Sequence, residues 1–131
     1  MARAILSRAG VQNLDLIEAD AAALDCARQN ITDPRAQFHW ADVTQMRPAL
    51  PWEMVVTNPP FHTQRSPDAN LGLGFIRAAH ARLAGHGQLW LVANRQLPYA
   101  APLRALFREV EELGNDATFR LIRAAFPLRN R

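Results

Sequence analysis

The sequence predicts an α/β domain with a mostly parallel sheet and an antiparallel hairpin at its C-terminal end. Short apolar runs alternate with stretches of helical spacing, which is typical of parallel strands joined by helices. The run Gln88–Ala93 is apolar throughout, as expected for a strand that is buried on both faces. Three successive predicted strands end in polar residues, and parallel α/β sheets bind ligands beyond the carboxyl ends of their strands.

The composition restricts the class of protein. The 131 residues, 49 % hydrophobic and 21 % charged, fit about one domain and exclude intrinsic disorder. No apolar run reaches the roughly 18–20 residues of a membrane helix, and Met1–Gly10 lacks the apolar segment of a secretory signal. The single cysteine, Cys26, excludes an internal disulfide and favours a reducing cytoplasm. All 15 basic residues are arginine, with a net charge of +3, which suits RNA contact but also a GC-rich genome.

The first half contains two predicted helices and two predicted strands. In order, they are a helix end at Ala2–Ala9, a strand at Leu14–Ala19, a helix from Asp20 to about Asn30, and a strand at Gln37–Ala41. Gly10 is expected to terminate the first helix, because glycine readily ends a helix. Asp20 is a predicted N-cap, since its carboxylate can accept from the first free backbone N–H groups.

The second half continues with two strands, two helices and a closing hairpin. We predict a strand at Trp52–Thr57, followed by a polar loop at Gln64–Asn70. The helix that follows has apolar residues at helical spacing and ends at Gly85–Gly87; these residues are Leu71, Phe75, Ile76, Ala79 and Leu83. After it we predict a strand at Gln88–Ala93, a helix from Pro102 through Phe107, and hairpin strands at Val110–Leu113 and Phe119–Phe126. Pro102 suits the first position of a helix, where its missing N–H costs nothing.

Polar residues end three strands in succession: Glu18, with Asp20 beside it, then Asp42, then Asn58. A carboxylate at the end of an early strand can accept hydrogen bonds from both hydroxyls of a ribose. A second carboxylate one strand away can accept from an adenine amino group. The two would together suit an adenosine-containing cofactor, although either residue alone is often a helix cap or a solvated carboxylate.

The stretch Asn58–Pro59–Pro60–Phe61 follows the third of these strands. Two prolines make a stiff turn, in which the Asn58 side-chain carbonyl and a nearby backbone carbonyl are available acceptors. Two acceptors can hold both hydrogens of an exocyclic NH2 group and direct its lone pair at an electrophile. Phe61 would offer a face for stacking a base. The competing interpretation is an ordinary Pro-Pro turn with an asparagine cap and a buried phenylalanine.

At these residues the chain resembles class I S-adenosylmethionine-dependent methyltransferases of the amino-methylating group. It is most similar to the rRNA guanine-N2 methyltransferases of the small and large ribosomal subunits. The resemblance runs through VVTNPPFH at Val55–His62, GQLWLVANRQLPY at Gly87–Tyr99 and TFRLIRAA at Thr118–Ala125. It implies a Rossmann-like methyltransferase fold, S-adenosyl-L-methionine as cofactor and ribosomal RNA as partner in the cytoplasm.

The resemblance also implies roles for individual residues. The cofactor would be bound by Glu18, Ala19, Asp42, Val43 and Asn58, with Glu18 at the ribose and Asp42, together with the Val43 backbone, at the adenine. The amine would be held at the catalytic residues Asn58, Pro59, Pro60 and Phe61, with Phe61 stacked on a guanine flipped out of its helix. Further substrate contacts would come from His62, Asn94 and Tyr99, although Asn94 can equally be a strand-end cap and Tyr99 a rim aromatic. In-line methyl transfer needs no metal, and none is expected.

The sequence departs from the family in one respect. The family carries a glycine-rich loop after its first strand, and this sequence begins at what would be the end of the following helix. We therefore expect residues 1–131 to be a single, N-terminally truncated catalytic domain in which the first strand is missing. Its absence should leave uncovered edges on the strands that end at Glu18 and Asn58. Little or no methyl transfer by the isolated chain is expected.

Three alternatives remain open from the sequence. Within amine methylation, adenine N6, cytosine N4 and protein glutamine are other acceptors. A non-catalytic RNA-binding module on a degraded methyltransferase fold would bind RNA without the cofactor. A purely structural fragment would do neither.

Overall fold

The computed structural model describes residues 1–59, 62–63, 66–67, 69–95, 98–115 and 118–129. They fall into two compact units, Met1–Met46 and Arg47–Arg131. No described helix has both the length and the apolar character needed to span a membrane.

The first unit is a β-α-β motif preceded by a short helix. Its elements are α1 (Ala2–Leu6), β1 (Leu14–Glu18), α2 (Ala21–Asn30) and β2 (Ala36–Trp40). The two strands are parallel, with Leu14 opposite Ala36 and Glu18 opposite Trp40. Asp20 caps α2 as predicted, because its Oδ1 accepts from the backbone N–H groups of Ala22 and Ala23 at 2.9 and 3.3 Å.

Arg35 holds the segment after α1 in place. Its guanidinium donates to the backbone carbonyls of Leu6 and Val11, the second at 2.9 Å, and pairs with the Asp33 carboxylate at 2.7 Å. The Leu6 carbonyl is the last of α1 and has no partner further along the helix, so the arginine satisfies it from outside. The prediction that the first helix runs to Ala9 is wrong: the helix ends at Leu6, where this long-range contact satisfies its last carbonyl.

The second unit contains a mixed sheet and two helices. Its elements are β3 (Trp52–Thr57), β4 (His62–Thr63), β5 (Ser66–Pro67), α3 (Ala69–Arg82), β6 (Leu83–Asn94), α4 (Ala100–Leu106), β7 (Phe107–Asn115) and β8 (Phe119–Pro127). The main sheet has the order β3-β6-β8-β7, in which β3 and β6 are parallel and the pairs β6–β8 and β7–β8 are antiparallel. The α/β class and the C-terminal antiparallel hairpin are confirmed. Among the described residues, β1 and β3 each pair with a single strand.

The core of the second unit is apolar and built around β6. Leu89, Leu91 and Ala93 alternate along this strand and are at most 2 % exposed. They pack with Ile76 of α3 and Leu103 of α4. This face packs with α3 and α4, whereas the alternate residues on the other face of the strand are only half-buried. The prediction that the apolar run is buried on both faces is therefore wrong.

Several predicted boundaries of the second unit are wrong. Leu83 starts β6 rather than ending α3, so Gly85–Gly87 lies inside a strand. Leu83 is buried either way, which is why helical spacing could not distinguish the two. Arg129 donates to the carbonyls of His80 and Leu83 at 2.5 and 2.6 Å, and this contact from the far end of the chain covers the end of α3.

The remaining differences concern where elements begin. The predicted loop Gln64–Asn70 contains β5 and the first residues of α3. The second helix of the unit begins at Ala100 instead of Pro102, which still falls within the first turn, where proline is tolerated. The first hairpin strand is longer than predicted and begins at Phe107.

Candidate active site

Two carboxylates lie at the carboxyl edge of the first unit's sheet, at the ends of neighbouring strands. Glu18 is the last residue of β1, and Asp42 follows the end of β2 by two residues. The backbone N–H of Ala41 donates to the Glu18 carbonyl at 3.1 Å, so the chain after β2 remains tied to the end of β1. Both side chains belong to exposed residues. The structure therefore brings these two predicted site residues together at one edge, where α/β sheets bind ligands.

Glu18 sits in a tight turn between β1 and α2. Its Oε1 accepts from the backbone N–H of Asp20 at 3.0 Å, which orients the carboxylate without burying it. Ala19, between them, is exposed, and its carbonyl accepts from the indole N–H of Trp40 at 2.9 Å. Asp20 is occupied as the cap of α2. Of the two acids at this strand end, Glu18 is the one available to a ligand.

Asp42 opens a turn after β2. Its Oδ1 accepts from the backbone N–H and the hydroxyl of Thr44 at 2.9 and 2.6 Å. These hydrogen bonds to the ionised form hold the pKa of the Asp42 carboxyl below its usual range, so it is an anion at neutral pH. Val43, which follows, is half-buried in the same turn. Because both bonds fall on Oδ1, Oδ2 can serve as an acceptor for a ligand.

Asn58 occupies the equivalent place in the second unit. It directly follows β3, whose last residue Thr57 lies opposite Leu91 of β6. Asn58 is exposed, whereas the next residue, Pro59, is buried. A buried proline with a fixed φ angle restrains the backbone on which Asn58 stands. Pro60 and Phe61, which are part of the predicted site, lie outside the described residues; His62 begins β4, and only its backbone is described.

Asn94 lies at the same edge as Asn58. It is the last residue of β6 and is half-buried. Since Thr57 is opposite Leu91, the register places Asn94 about two residues, or roughly 7 Å along the strand, beyond the level of Asn58. The two amides thus end neighbouring parallel strands.

Tyr99 does not lie at this edge. Its side chain is 0 % exposed and belongs to the apolar core of the second unit. It contacts Gly72 of α3 so closely that a Cβ added at Gly72 would stand 1.8 Å from the Tyr99 hydroxyl oxygen. Tyr99 was predicted as a substrate contact or a rim aromatic, and the structure corrects both: the residue packs α3 against the start of α4 through a position that only glycine leaves open.

One residue beside the carboxylates was not identified from the sequence. Trp40 ends β2, lies opposite Glu18 and is 70 % exposed. The available signal was a large aromatic residue that ends a strand immediately before an acidic turn, but strand patterning alone does not show which face it occupies or how far it is covered.

The described residues contain no group of three or more His, Cys, Asp or Glu side chains arranged to hold a metal ion. Each unit offers hydrogen-bond acceptors after its strands: the first unit has two carboxylates beyond parallel strands, and the second has an amide after β3.

The fold and these strand-end acceptors define the class, a class I methyltransferase domain. The chain belongs to the Methyltransferase small domain family, whose model matches residues 1–123.

Relatives within this class are ribosomal RNA methyltransferases. Over 116 residues the chain is 33 % identical to ribosomal RNA large subunit methyltransferase G of Ectopseudomonas mendocina, a match that covers 86 % of this chain and 31 % of that protein. Over 73 residues it is 44 % identical to ribosomal RNA small subunit methyltransferase C of Chromohalobacter salexigens, a match that covers 56 % of this chain and 22 % of that protein.

A solved structure shows the same similarity. The T. thermophilus 16S rRNA N2 methyltransferase RsmC, in complex with AdoMet and guanosine, matches with a TM-score of 0.70 and 27 % identity over 86 % of this chain and 31 % of that chain. The chain spans about a third, or less, of the length of these relatives.

Proposed function

We propose that residues 1–131 act as a methyltransferase catalytic domain that transfers a methyl group from S-adenosyl-L-methionine to the N2 amino group of guanine in ribosomal RNA. The observation that carries the proposal is Asn58: an exposed amide directly after β3, followed by a buried proline that restrains its backbone. Family membership and the named activities of the relatives support it.

The first unit fits the nucleoside part of the cofactor. Glu18 and Asp42 are exposed acceptors at one sheet edge, and an adenosine presents donors at both ends, two ribose hydroxyls and one amino group. Glu18 would accept from the hydroxyls, while Asp42 and the backbone of Val43 would hold the base. When bound, the cofactor supplies an electrophilic methyl group on its sulfonium.

Asn58 would hold the acceptor nitrogen. Its side-chain oxygen and the Pro59 carbonyl would accept the two N–H hydrogens and leave the nitrogen lone pair directed at the methyl group. The base must leave its stack to reach this point, which is a role for aromatic contacts such as Phe61. Asn94, at the end of the neighbouring strand, is a further candidate for the substrate side.

The distribution of charge supports an RNA substrate. Residues 1–46 carry four arginines and six carboxylates, whereas residues 47–131 carry eleven arginines and six carboxylates. The unit that contains Asn58 is therefore the basic one, and arginine is well suited to phosphate. We propose a cytoplasmic location, where ribosomal RNA is available.

Product analysis tests the function. The chain, in molar excess over ribosomal RNA, is incubated with labelled S-adenosyl-L-methionine, and the RNA is digested to nucleosides. Excess enzyme makes even a slow single turnover visible. We expect the label in N2-methylguanosine.

Other outcomes separate the alternatives. Label in N6-methyladenosine or N4-methylcytidine would retain amine methylation and reject guanine. RNA binding without any binding of S-adenosylhomocysteine in calorimetry would reject the methyltransferase and favour a non-catalytic RNA-binding module.

A further inference from the structure

Trp40 is a large aromatic side chain that the fold leaves uncovered at the edge of the first unit's sheet. It is 70 % exposed although it ends a strand. Exposed tryptophan is costly in water, because its indole is one of the largest apolar surfaces that a side chain carries. Covering this indole with a ligand would therefore remove a large apolar surface from water.

The indole is nevertheless held in one place. Its Nε1–H donates to the carbonyl of Ala19 at 2.9 Å, across the two strand ends. A ring fixed in this way loses little rotational freedom when a ligand packs on it, so the contact is favourable at small entropic cost.

Trp40 is close in the sheet to both carboxylates of the proposed cofactor site. Glu18 is the register partner of Trp40, and residues opposite each other in a parallel pair project to the same face. Asp42 follows Trp40 by two residues along the chain. A nucleoside with its ribose at Glu18 and its amino group at Asp42 would therefore lie at the strand ends where the indole is exposed.

We propose that Trp40 is a purine-contact residue whose indole packs against the adenine of the bound nucleoside and so adds to its affinity. This inference rests on the proposed cofactor site at Glu18 and Asp42. A planar π surface is favourable for any base, whereas the Asp42 carboxylate selects a base that carries an amino group.

Fluorescence and calorimetry test this on the full chain, with adenosine and S-adenosylhomocysteine as probes. Because stacking on a base changes indole emission, both probes should quench the wild-type protein, and Trp40→Phe should lose most of the quench. Trp40→Phe keeps a ring and should bind within about threefold of wild type, while Trp40→Ala should bind roughly tenfold more weakly. Trp90→Phe is the matched control, because Trp90 lies in the second unit and bonds to Gln88.

The outcomes separate this inference from the proposed function. Unchanged affinity and quench in Trp40→Ala, with wild-type binding intact, would overturn the stacking role and leave the cofactor site standing. If Trp40→Phe lost as much affinity as Trp40→Ala, the hydrogen bond to Ala19 would be the cause and stacking would be rejected. If wild type bound neither probe, the cofactor site and the role of Trp40 would both be rejected. Should Trp40→Ala fail to fold, the Trp40→Phe affinity and quench still decide.

Discussion

The two units of this chain are stabilised by different kinds of contact. In the described residues of Met1–Met46 only Leu6 and Leu24 are buried hydrophobics, and the segments are connected by polar contacts such as those of Arg35. Arg47–Arg131 has an extended apolar core along β6. The charges differ as well, with carboxylates in excess in the first unit and arginines in the second.

This difference matches the division of labour that we propose. A unit of only Met1–Met46 can bury a small core, so directional hydrogen bonds hold the turns that present its carboxylates. A unit that must hold an amide rigidly beneath a bulky substrate gains from a packed core behind its sheet. Variants of the first unit should therefore affect binding of the nucleoside or the hydrogen-bonded turns, and variants of the second should affect methyl transfer to the amine or the apolar core.

The largest expected effect is at Asn58. Asn58→Ala removes one of the two acceptors for the target amine, and we expect the rate of methyl transfer to fall roughly 100- to 1,000-fold, as for other preorganised polar groups. Calorimetry should show a much smaller loss of affinity for S-adenosylhomocysteine, because the nucleoside part of the cofactor is held by Glu18 and Asp42 in the proposal. A comparable loss of cofactor affinity would show that the two units do not divide the ligands as proposed.

At Glu18 we expect a loss of cofactor affinity, in contrast to the loss of methyl-transfer rate at Asn58. Glu18→Gln removes the charge that strengthens hydrogen bonds to ribose hydroxyls, so affinity for S-adenosylhomocysteine should fall by about 1.5–3 kcal/mol, roughly 10- to 150-fold. Asp25→Asn, an exposed carboxylate on α2, is the control and should bind as wild type does. Equal losses in the two variants would indicate a general charge effect and contradict a specific ribose contact.

Gly72 tests the core of the second unit. Gly72→Ala places a Cβ 1.8 Å from the Tyr99 hydroxyl, so the free energy of unfolding should fall by about 1–3 kcal/mol despite the better helix propensity of alanine. Gly85→Ala, where a Cβ meets nothing within 4 Å, should lose much less stability. Urea denaturation measures both, and an unaffected Gly72→Ala protein would mean that Tyr99 can move aside.

Arg35 tests the polar connections of the first unit. Arg35→Met keeps the length of the side chain but removes its bonds to the carbonyls of Leu6 and Val11 and to Asp33, and should measurably lower the free energy of unfolding. Arg28→Met removes an exposed pair with Asp25 at 3.4 Å and should cost under about 1 kcal/mol. Similar stabilities for the two variants would reject the structural role of Arg35.

The smallest expected effect is a dependence on pH. The hydrogen bonds from Arg35 lower the pKa of Asp33 from 3.8 to about 2. Because the folded-state pKa is the lower one, this carboxylate stabilises the fold fully above about pH 4 and loses that contribution as the pH falls towards 2. In Asp33→Asn the melting temperature should depend less on pH over this acid range, while its pH dependence near neutrality should match that of wild type. If the variant and the wild type lost melting temperature equally in acid, the assignment would be contradicted.

Local patterns predicted much of the molecule. The third strand, Trp52–Thr57, has the predicted bounds, and the cap at Asp20 and the closing hairpin are as expected. These features depend on alternation, capping chemistry and turn residues, which act over a few positions. The ends of α1 and α3 were missed because Arg35 and Arg129 reach them from 27 or more residues away.

The same distinction holds for the site. The residue types and their places after successive strands determined the candidates Glu18, Asp42 and Asn58, because a strand end is a local property of the sequence. Only the tertiary structure decided that Tyr99 is buried against Gly72 and that Trp40 is exposed at the strand end opposite Glu18. Burial and partnership depend on which distant segments pack together, and spacing along the chain carries no record of that.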